Sequence, residues 1–485
     1  MSGSPSDAAP AAVPGEAALP VARIGADGRR RVDLRALSAL AAPLMLTNAI
    51  QAALNLTDTW FIGRLSTDAV AAMGAIYWLM SCAILMLGGV GFAVQSFVSQ
   101  ADGGGRRSRA ALSAWNGIWA GLACWPLFAA VAWLGPALLR PFSLEPAIAA
   151  LSLAYWEPRM LGAVLGTIGW AMMSFFNGIG ATRITLRVAL VTLLANIPAN
   201  EFFMFGLGQG MAGAAHGTNV AQAAGIVVGL VSFLGSRFAS RYRTRLVWRP
   251  RLAIMRRQLA VGLPVGVMYA ADVLGVAMMQ MMVTQVGKVG AAATQVVMML
   301  TSLAYMPTLG LASAGTTAVG QAIGAGDRDW AARVGTFVTR CCAGLMLGIA
   351  LLLLTFSQWL LPGFFPDGDP AGREAVALAL VLLWPAAAYQ FFDGLYFGSS
   401  FALRATGDTA VPARTALLLS WLFFVPLAHT LVFTPEQAWL PGLPQAGLGA
   451  VGGWLALMAY AMVLGTLMYR RWRSERWRRI DLWGA

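Results

Sequence analysis

"VSQADGGGRRSRAA", residues 98–111, returns 221 positions later as "VGQAIGAGDRDWAA", residues 319–332. At that one offset Gln100 falls on Gln321, Gly103 on Gly324 and Gly105 on Gly326. The same shift carries "PLMLTNAI" from Pro43 onto "PVGVMYAA" from Pro264. Farther on, a shift of 227 carries Pro158 onto Pro385, Gly180 onto Gly407 and Thr182 onto Thr409. An alanine-rich chain yields chance identities, but glutamine, proline and glycine agreeing at one offset do not come from alanine content. The chain is a duplication, and the sequence around the matches says of what.

That sequence is apolar. Of 485 residues 58% are hydrophobic and 11% charged, against roughly 45–50% and 25% in soluble domains. Runs of about 20 residues or more, long enough to cross a bilayer, recur at 37–62, 69–95, 110–134, 147–178, 184–206, 212–235, 259–286, 291–320, 334–361, 375–403, 411–433 and 447–469. The expected fold is an all-α integral membrane protein, with twelve transmembrane helices in two six-helix pseudo-symmetric lobes. Each half has an even number of spans, so both enter the membrane the same way, as a parallel repeat with a substrate site between the halves. The domains read as a disordered cytoplasmic tail (1–34), an N-lobe (35–236), a basic cytoplasmic linker (237–257), a C-lobe (258–470) and a basic cytoplasmic tail (471–485).

The net charge of +13 is placed as membrane topology requires. Arg237, Arg241, Arg243, Arg245, Arg249, Arg251, Arg256 and Arg257 fall between the sixth and seventh runs, and six more arginines from Arg470 to Arg479 follow the twelfth. Loops of the opposite parity carry only Arg64, Arg140, Lys288 and Arg373. By the positive-inside rule both termini are cytoplasmic, on a multi-pass protein of the cell (inner) membrane. Basic segments beside membrane helices are the ordinary case, so no nucleic acid is expected as a partner. Cys82, Cys124, Cys341 and Cys342 lie in apolar runs without metal-ligand spacing and read as packing residues; no metal site is expected apart from Na⁺ at Asp272 and Asp393.

Within these apolar runs a few polar groups stand out. Asn48, Gln51, Asn55 and Asp58 fall within an arc of roughly 80° on the first helix. An ionised Asp at mid-bilayer costs from a few to more than ten kcal/mol, so it turns inward to partners or water, or stays protonated. Asp272 lies about 15 residues, roughly 22 Å of helix, from both Arg257 and Lys288, near the midplane. Tyr389, Asp393, Tyr396 and Ser400, spaced by four, three and four, share a face of the tenth run. Thr192, Asn196 and Asn200 line the fifth, with Glu201 nearer its outer end. With no Lys and few Arg at these depths, a proton, Na⁺ or a cationic substrate is expected to compensate the acids. Asp58 has a local alternative, since Arg64 lies about 9 Å along the helix. The repeat pairs Asp272 with Gln51 and Asp58 with Met279, so the duplication did not copy the acids.

Taken together, "LTDTWFIGRLSTDAVAA", "VSQADGGGRR", "NIPANEFFMFGLG", "GLPVGVMYAAD", "AVGQAIGAGDRDWAA" and "DGLYFGSSFALRATGDT" resemble the multidrug and toxic compound extrusion (MATE) family over roughly residues 35–470. The pattern is most similar to its NorM-type branch, in which acids on the first, seventh and tenth helices serve cation coupling. The resemblance matches Asp58 and Asp393 to the first- and tenth-helix acids and puts Asp272 where that branch usually has Glu. Asn196 and Asn200 fit its fifth-helix pattern, and Ala405 stands where Gly is common.

The resemblance implies a secondary antiporter that exports organic cations and amphiphilic drugs by alternating access, driven by inward H⁺ or Na⁺ and needing no other cofactor. Asp272, Asp393 and Asp58 are the expected coupling or substrate groups, supported by Gln51, Asn55, Asn196, Asn200, Tyr389 and Tyr396. A two-lobed carrier surrounded by membrane lipid is complete as a monomer. Met278, Met279, Met281, Met282, Met298 and Met299 would suit promiscuous ligands, or simply pack.

Other classes fit less well. Around Lys288, "VTQVGKVGA" lacks the glycine and hydroxyl of a phosphate loop, against an ATP-driven pump. His216 and His429 have no nucleophile or metal spacing around them, against an enzyme. A lipid-linked oligosaccharide flippase would want a cationic cavity rather than an acidic one, and a channel would not show saturable, gradient-coupled flux.

Overall fold

The computed structural model describes residues 21–25, 28–142, 144–364, 370–440, 442 and 444–483. Twelve helices are long and apolar enough to span a membrane: α1 (Leu34–Gly63), α2 (Thr67–Gly103), α3 (Arg107–Trp133), α4 (Pro146–Gly178), α5 (Thr182–Gly206), α6 (Gly210–Leu234), α7 (Leu252–Val286), α8 (Lys288–Gly324), α9 (Arg328–Phe364), α10 (Pro370–Thr406), α11 (Ala410–Val432) and α12 (Gly449–Arg473). Each contains most of one apolar run. Several overrun it, because a helix stops at a capping residue and not at the edge of the hydrocarbon.

The repeated glycines are those stops. Gly105 and Gly326 have φ of 69° and 88°, a left-handed conformation that Gly adopts at little steric cost. At each, the next residue's N–H reaches back to close the last turn: Arg106 to Ala101 (2.8 Å) and Asp327 to Ala322 (3.1 Å). Gly180 and Gly407 end α4 and α10 in the same way. The duplicated motif is thus first a pair of matched helix ends.

The motif is also the contact between the lobes. Lipid is as apolar as leucine, so helices in a bilayer associate through close packing and hydrogen bonds instead of hydrophobic burial. Gly103 lies against the Gln321 backbone and Gly324 against the Gln100 backbone, so that neither position has room for a side chain. Deeper in, Gly89 of α2 packs on Gly262 and Gly266 of α7, and its repeat counterpart Gly310 of α8 packs on Met45 of α1.

Hydrogen bonds follow the same exchange. Gln100 Nε2 donates to the Ala405 carbonyl (2.8 Å) and Gln321 Nε2 to that of Gly178 (3.3 Å). Ser96 Oγ donates to the Arg404 carbonyl (2.7 Å) and Thr317 Oγ1 to that of Asn177 (2.9 Å). Asn48 Nδ2, donating to the Met306 carbonyl at 3.4 Å, is the outermost of these links. Among the described residues, no hydrogen bond joins the lobes across the outer halves of α1, α2, α7 and α8. The seam is closed at the end that carries the arginine-rich loops, here termed the basic end.

The segments outside the spans carry structure of their own. Residues 1–20 of the expected disordered tail lie outside the described residues, but Ala22–Ile24 and Arg30–Val32 pair as a two-stranded antiparallel ribbon. The 237–257 linker contributes much of a short helix, Ser236–Tyr242, and the first turns of α7. The C-terminal segment folds back: Trp477 stacks on Trp472 at 4.8 Å, and Trp483 meets Phe97 of α2 edge-on at 5.6 Å.

Candidate functional site

In the N-lobe, Asp58 is 6% exposed and points into its own helix group. Asn196 and Asn200 of α5 donate from Nδ2 to its Oδ1 at 2.9 and 2.8 Å, and Thr218 of α6 donates from Oγ1 to its Oδ2 at 3.1 Å. Local sequence makes this approach possible. Asn196 and Asn200 are one turn apart on α5, and Gly217 of α6 leaves the space that the Asn200 amide fills. The Asn200 Oδ1 is buried without a partner. Arg159 lies nearby but donates to Asn219 Oδ1 at 3.1 Å.

Arg64 does not pair with Asp58. It bonds Glu201 at 2.6 Å on the outer rim and lies over the Phe205 ring at 4.3 Å. Nor do Gln51 and Asn55 join Asp58: both are exposed, while Asn48 of the same stripe reaches α8. An 80° arc is wide enough for one edge of a polar stripe to face the lobe interior while the other faces the seam.

In the C-lobe, Asp272 and Asp393 belong to one cluster and are close enough to interact electrostatically. Asp272 accepts from Tyr396 Oη on α10 (2.6 Å) and Tyr460 Oη on α12 (2.7 Å). Asp393 accepts from Tyr389 Oη at 3.2 Å, a single long bond, and is 7% exposed. Aromatic packing fixes these hydroxyls. Phe424 stacks on Tyr460 at 5.0 Å, Phe397 leans on Tyr396 at 5.0 Å, and Tyr305 meets Phe397 edge-on at 5.1 Å.

Each acid pocket adjoins a widened π-helical turn: Glu201–Gly206 directly after Asn200, and Ser420–Phe424 behind Tyr460. Such turns recur at functional sites because they shift the register of one helix face. Among the described residues none of the three carboxyl groups forms an ion pair.

The sequence reading did not single out Thr218, Tyr460 or Arg404. A buried Tyr needs a partner for its hydroxyl, so Tyr460 in "WLALMAYAMV" was a readable signal; Thr218, on a helix full of small residues, left none. Arg404 is 5% exposed at the seam, 4.0 Å from the Phe401 ring, with Nη1 3.4 Å from Tyr269 Oη and Nη2 3.5 Å from Gln95 Oε1. It is the repeat counterpart of Asn177.

Two pseudo-symmetric bundles, each holding acid inside and meeting at a seam closed at one end, define a two-lobed membrane transporter, not an enzyme. The MatE family matches residues 43–202 and 264–430, one block in each lobe, and the chain belongs to that family. It is 31% identical over 448 residues to the probable multidrug resistance protein NorM of Burkholderia pseudomallei, covering 90% of this chain and 91% of the relative. A MATE crystal structure in complex with MaL6 superposes with a TM-score of 0.77 at 18% identity, over 90% of this chain and 95% of the other. An outward-facing multidrug resistance MATE transporter gives 0.76 at 18%, over 90% and 94%. At that identity the two structures bear on the fold alone.

Proposed function

We propose that this chain is a secondary active multidrug efflux antiporter, exporting organic cations and amphiphilic drugs by alternating access in exchange for inward H⁺ or Na⁺. The observation that supports this reading most is that three carboxyl groups, split between the lobes, are held by neutral donors with no Lys or Arg ion pair among the described residues. An acid so placed in a membrane protein calls for a positive charge from outside the chain. If the coupling ion and a cationic substrate compete for that charge, each drives the other off, which is a minimal antiport cycle.

Asp393, with one 3.2 Å donor, is the most open to exchange, while Asp272 and Asp58 have two and three donors. Proton binding at Asp58 has a ready acceptor in the orphan Asn200 Oδ1, reached by an amide flip. Na⁺ would take the same oxygens. Gln51 and Asn55, exposed beside the seam, are substrate-facing groups in this scheme.

By the positive-inside rule the basic end is cytoplasmic. The seam is then closed to the cytoplasm, both termini are cytoplasmic, and the protein works as a monomer in the inner membrane, sheathed in lipid. The competition is tested by adding a fluorescent organic cation to the detergent-solubilised protein in weakly buffered solution, with and without Na⁺. The account expects saturable release of H⁺ or Na⁺ that Asp393→Asn abolishes. Substrate binding with no ion released, in the wild type, would overturn it.

A further inference from the structure

At the basic end a cavity of about 620 Å³ opens between the lobes, and the transport scheme makes no use of it. Its charged lining is Arg106 and Arg109 from the N-lobe, Arg251 and Arg257 from the linker and the start of α7, Arg328 from the C-lobe and Asp481 from the C-terminal segment, with Gln100 as a neutral polar neighbour, so arginine outnumbers acid five to one. Like charges gathered around a cavity repel one another unless a counter-charge sits among them. Arg257 and Asp481 of the wall have interactions of their own, and the nearby Asp102 accepts from Tyr242 and Gln321, while Asp327, Asp329 and Asp408 pair with Arg30, Arg478 and Arg471. Arg106, Arg109, Arg251 and Arg328 form no ion pair among the described residues.

Local structure adds to the field. α3, α7 and α9 all begin at this cavity, and the first two have no side chain capping their N-terminal N–H groups. Helix N-termini carry partial positive charge and free donors, which favour an anion. Arg106 and Arg109 are held over the Trp483 ring at 5.9 and 5.8 Å, which keeps their guanidinium groups over the cavity.

We propose that this cavity is a binding site for a phosphoryl anion. Forked guanidinium donors match phosphate oxygens, and the volume exceeds that of inorganic phosphate. The rest of the wall includes Leu112, Ile254, Ile323 and Trp483, which suits a phosphate carrying an apolar or neutral body. The anion is either a phospholipid headgroup or a soluble phosphate ester. Both lobes supply the wall, so the site is complete only while the seam is closed, and an occupant stabilises that state over the open one.

The test uses the full chain in an uncharged detergent. Calorimetric titration with inorganic pyrophosphate probes a soluble ligand. Retention of phosphatidylglycerol over phosphatidylcholine, read by native mass spectrometry from mixed vesicles, probes a lipid. The proposal expects binding in at least one arm and a loss of about tenfold or more in Arg109→Gln/Arg251→Gln, since each arginine supplies a charged hydrogen bond. Arg109→Lys/Arg251→Lys should keep part of it, and the charge-matched control Arg243→Gln/Arg249→Gln all of it. Binding in neither arm, or equal loss in the control, would overturn the proposal. A pyrophosphate-only result names a soluble ligand, and a phosphatidylglycerol-only result names a headgroup.

Discussion

Gly89→Ala is the smallest change that tests whether the seam at the basic end is a two-state element. A Cβ at Gly89 would stand 2.5 Å from the Gly262 carbonyl oxygen and 2.6 Å from the Gly266 Cα, both backbone atoms of α7. Neither neighbour can rotate away, so the methyl is accommodated by parting α2 from α7. Overpacking of this kind costs about 1–3 kcal/mol. Because the cost falls only on the closed seam, it moves the closed–open equilibrium about 5- to 150-fold toward open. Ser99, fully buried against Gly320, reports on that equilibrium when replaced by cysteine in a background lacking Cys82, Cys124, Cys341 and Cys342. Its alkylation rate, measured with an impermeant maleimide on the basic side, should rise by that factor. Gly344→Ala, where nothing lies within 4 Å of the added methyl, should leave the rate unchanged. A Gly89→Ala rate equal to the Gly344→Ala rate would refute the seam argument.

Other consequences can be measured on the same protein. Gln100→Leu and Gln321→Leu each orphan a carbonyl across the seam, a cost of about 1–3 kcal/mol, so both should raise Ser99→Cys labelling, Gln321→Leu the more because its Nε2 also donates to Asp102 of the other lobe at 3.1 Å. Thr218→Val and Tyr460→Phe each remove one donor to an internal carboxylate, a hydrogen bond to a charged group of about 1.5–3 kcal/mol, and should lower thermal stability in detergent, whereas the same exchange of Thr for Val at the exposed Thr355 should not. Glu201→Gln breaks an ion pair whose side chains are 39% and 52% exposed, so the stability loss should stay below about 1 kcal/mol; a larger loss would mean that the outer rim ties α1 to α5.

The features legible from sequence were those set by backbone sterics and by depth in the membrane. Twelve spans followed from length and apolarity. The duplicated Gly105 and Gly326 were visible because a left-handed helix end admits little else. What Gln100 and Gln321 do was not visible: the repeat paired them with each other, while each reaches a carbonyl of the opposite lobe some 300 and 140 residues away in the chain. The acids were found by their cost in a bilayer. Four of their six donors were found, because Asn196 with Asn200 and Tyr389 with Tyr396 each sit at helical spacing within a single run, whereas Thr218 and Tyr460 come from helices that tertiary packing alone brings near. The stripe on α1 misled for a related reason, since periodicity assigns Gln51, Asn55 and Asp58 to one face without saying where the lobe ends and the seam begins. Arg404 escaped because its sequence neighbourhood reads as the end of a span, while packing draws it into the seam.

Flux in proteoliposomes decides whether the buried acids couple ion entry to drug export: a fluorescent organic cation is driven by imposed pH and Na⁺ gradients applied separately, in the wild type and in Asp272→Asn and Asp393→Asn. Coupled antiport gives saturable flux that follows one of the two gradients and is lost in both variants. Flux indifferent to both gradients, or undiminished in both variants, would contradict it.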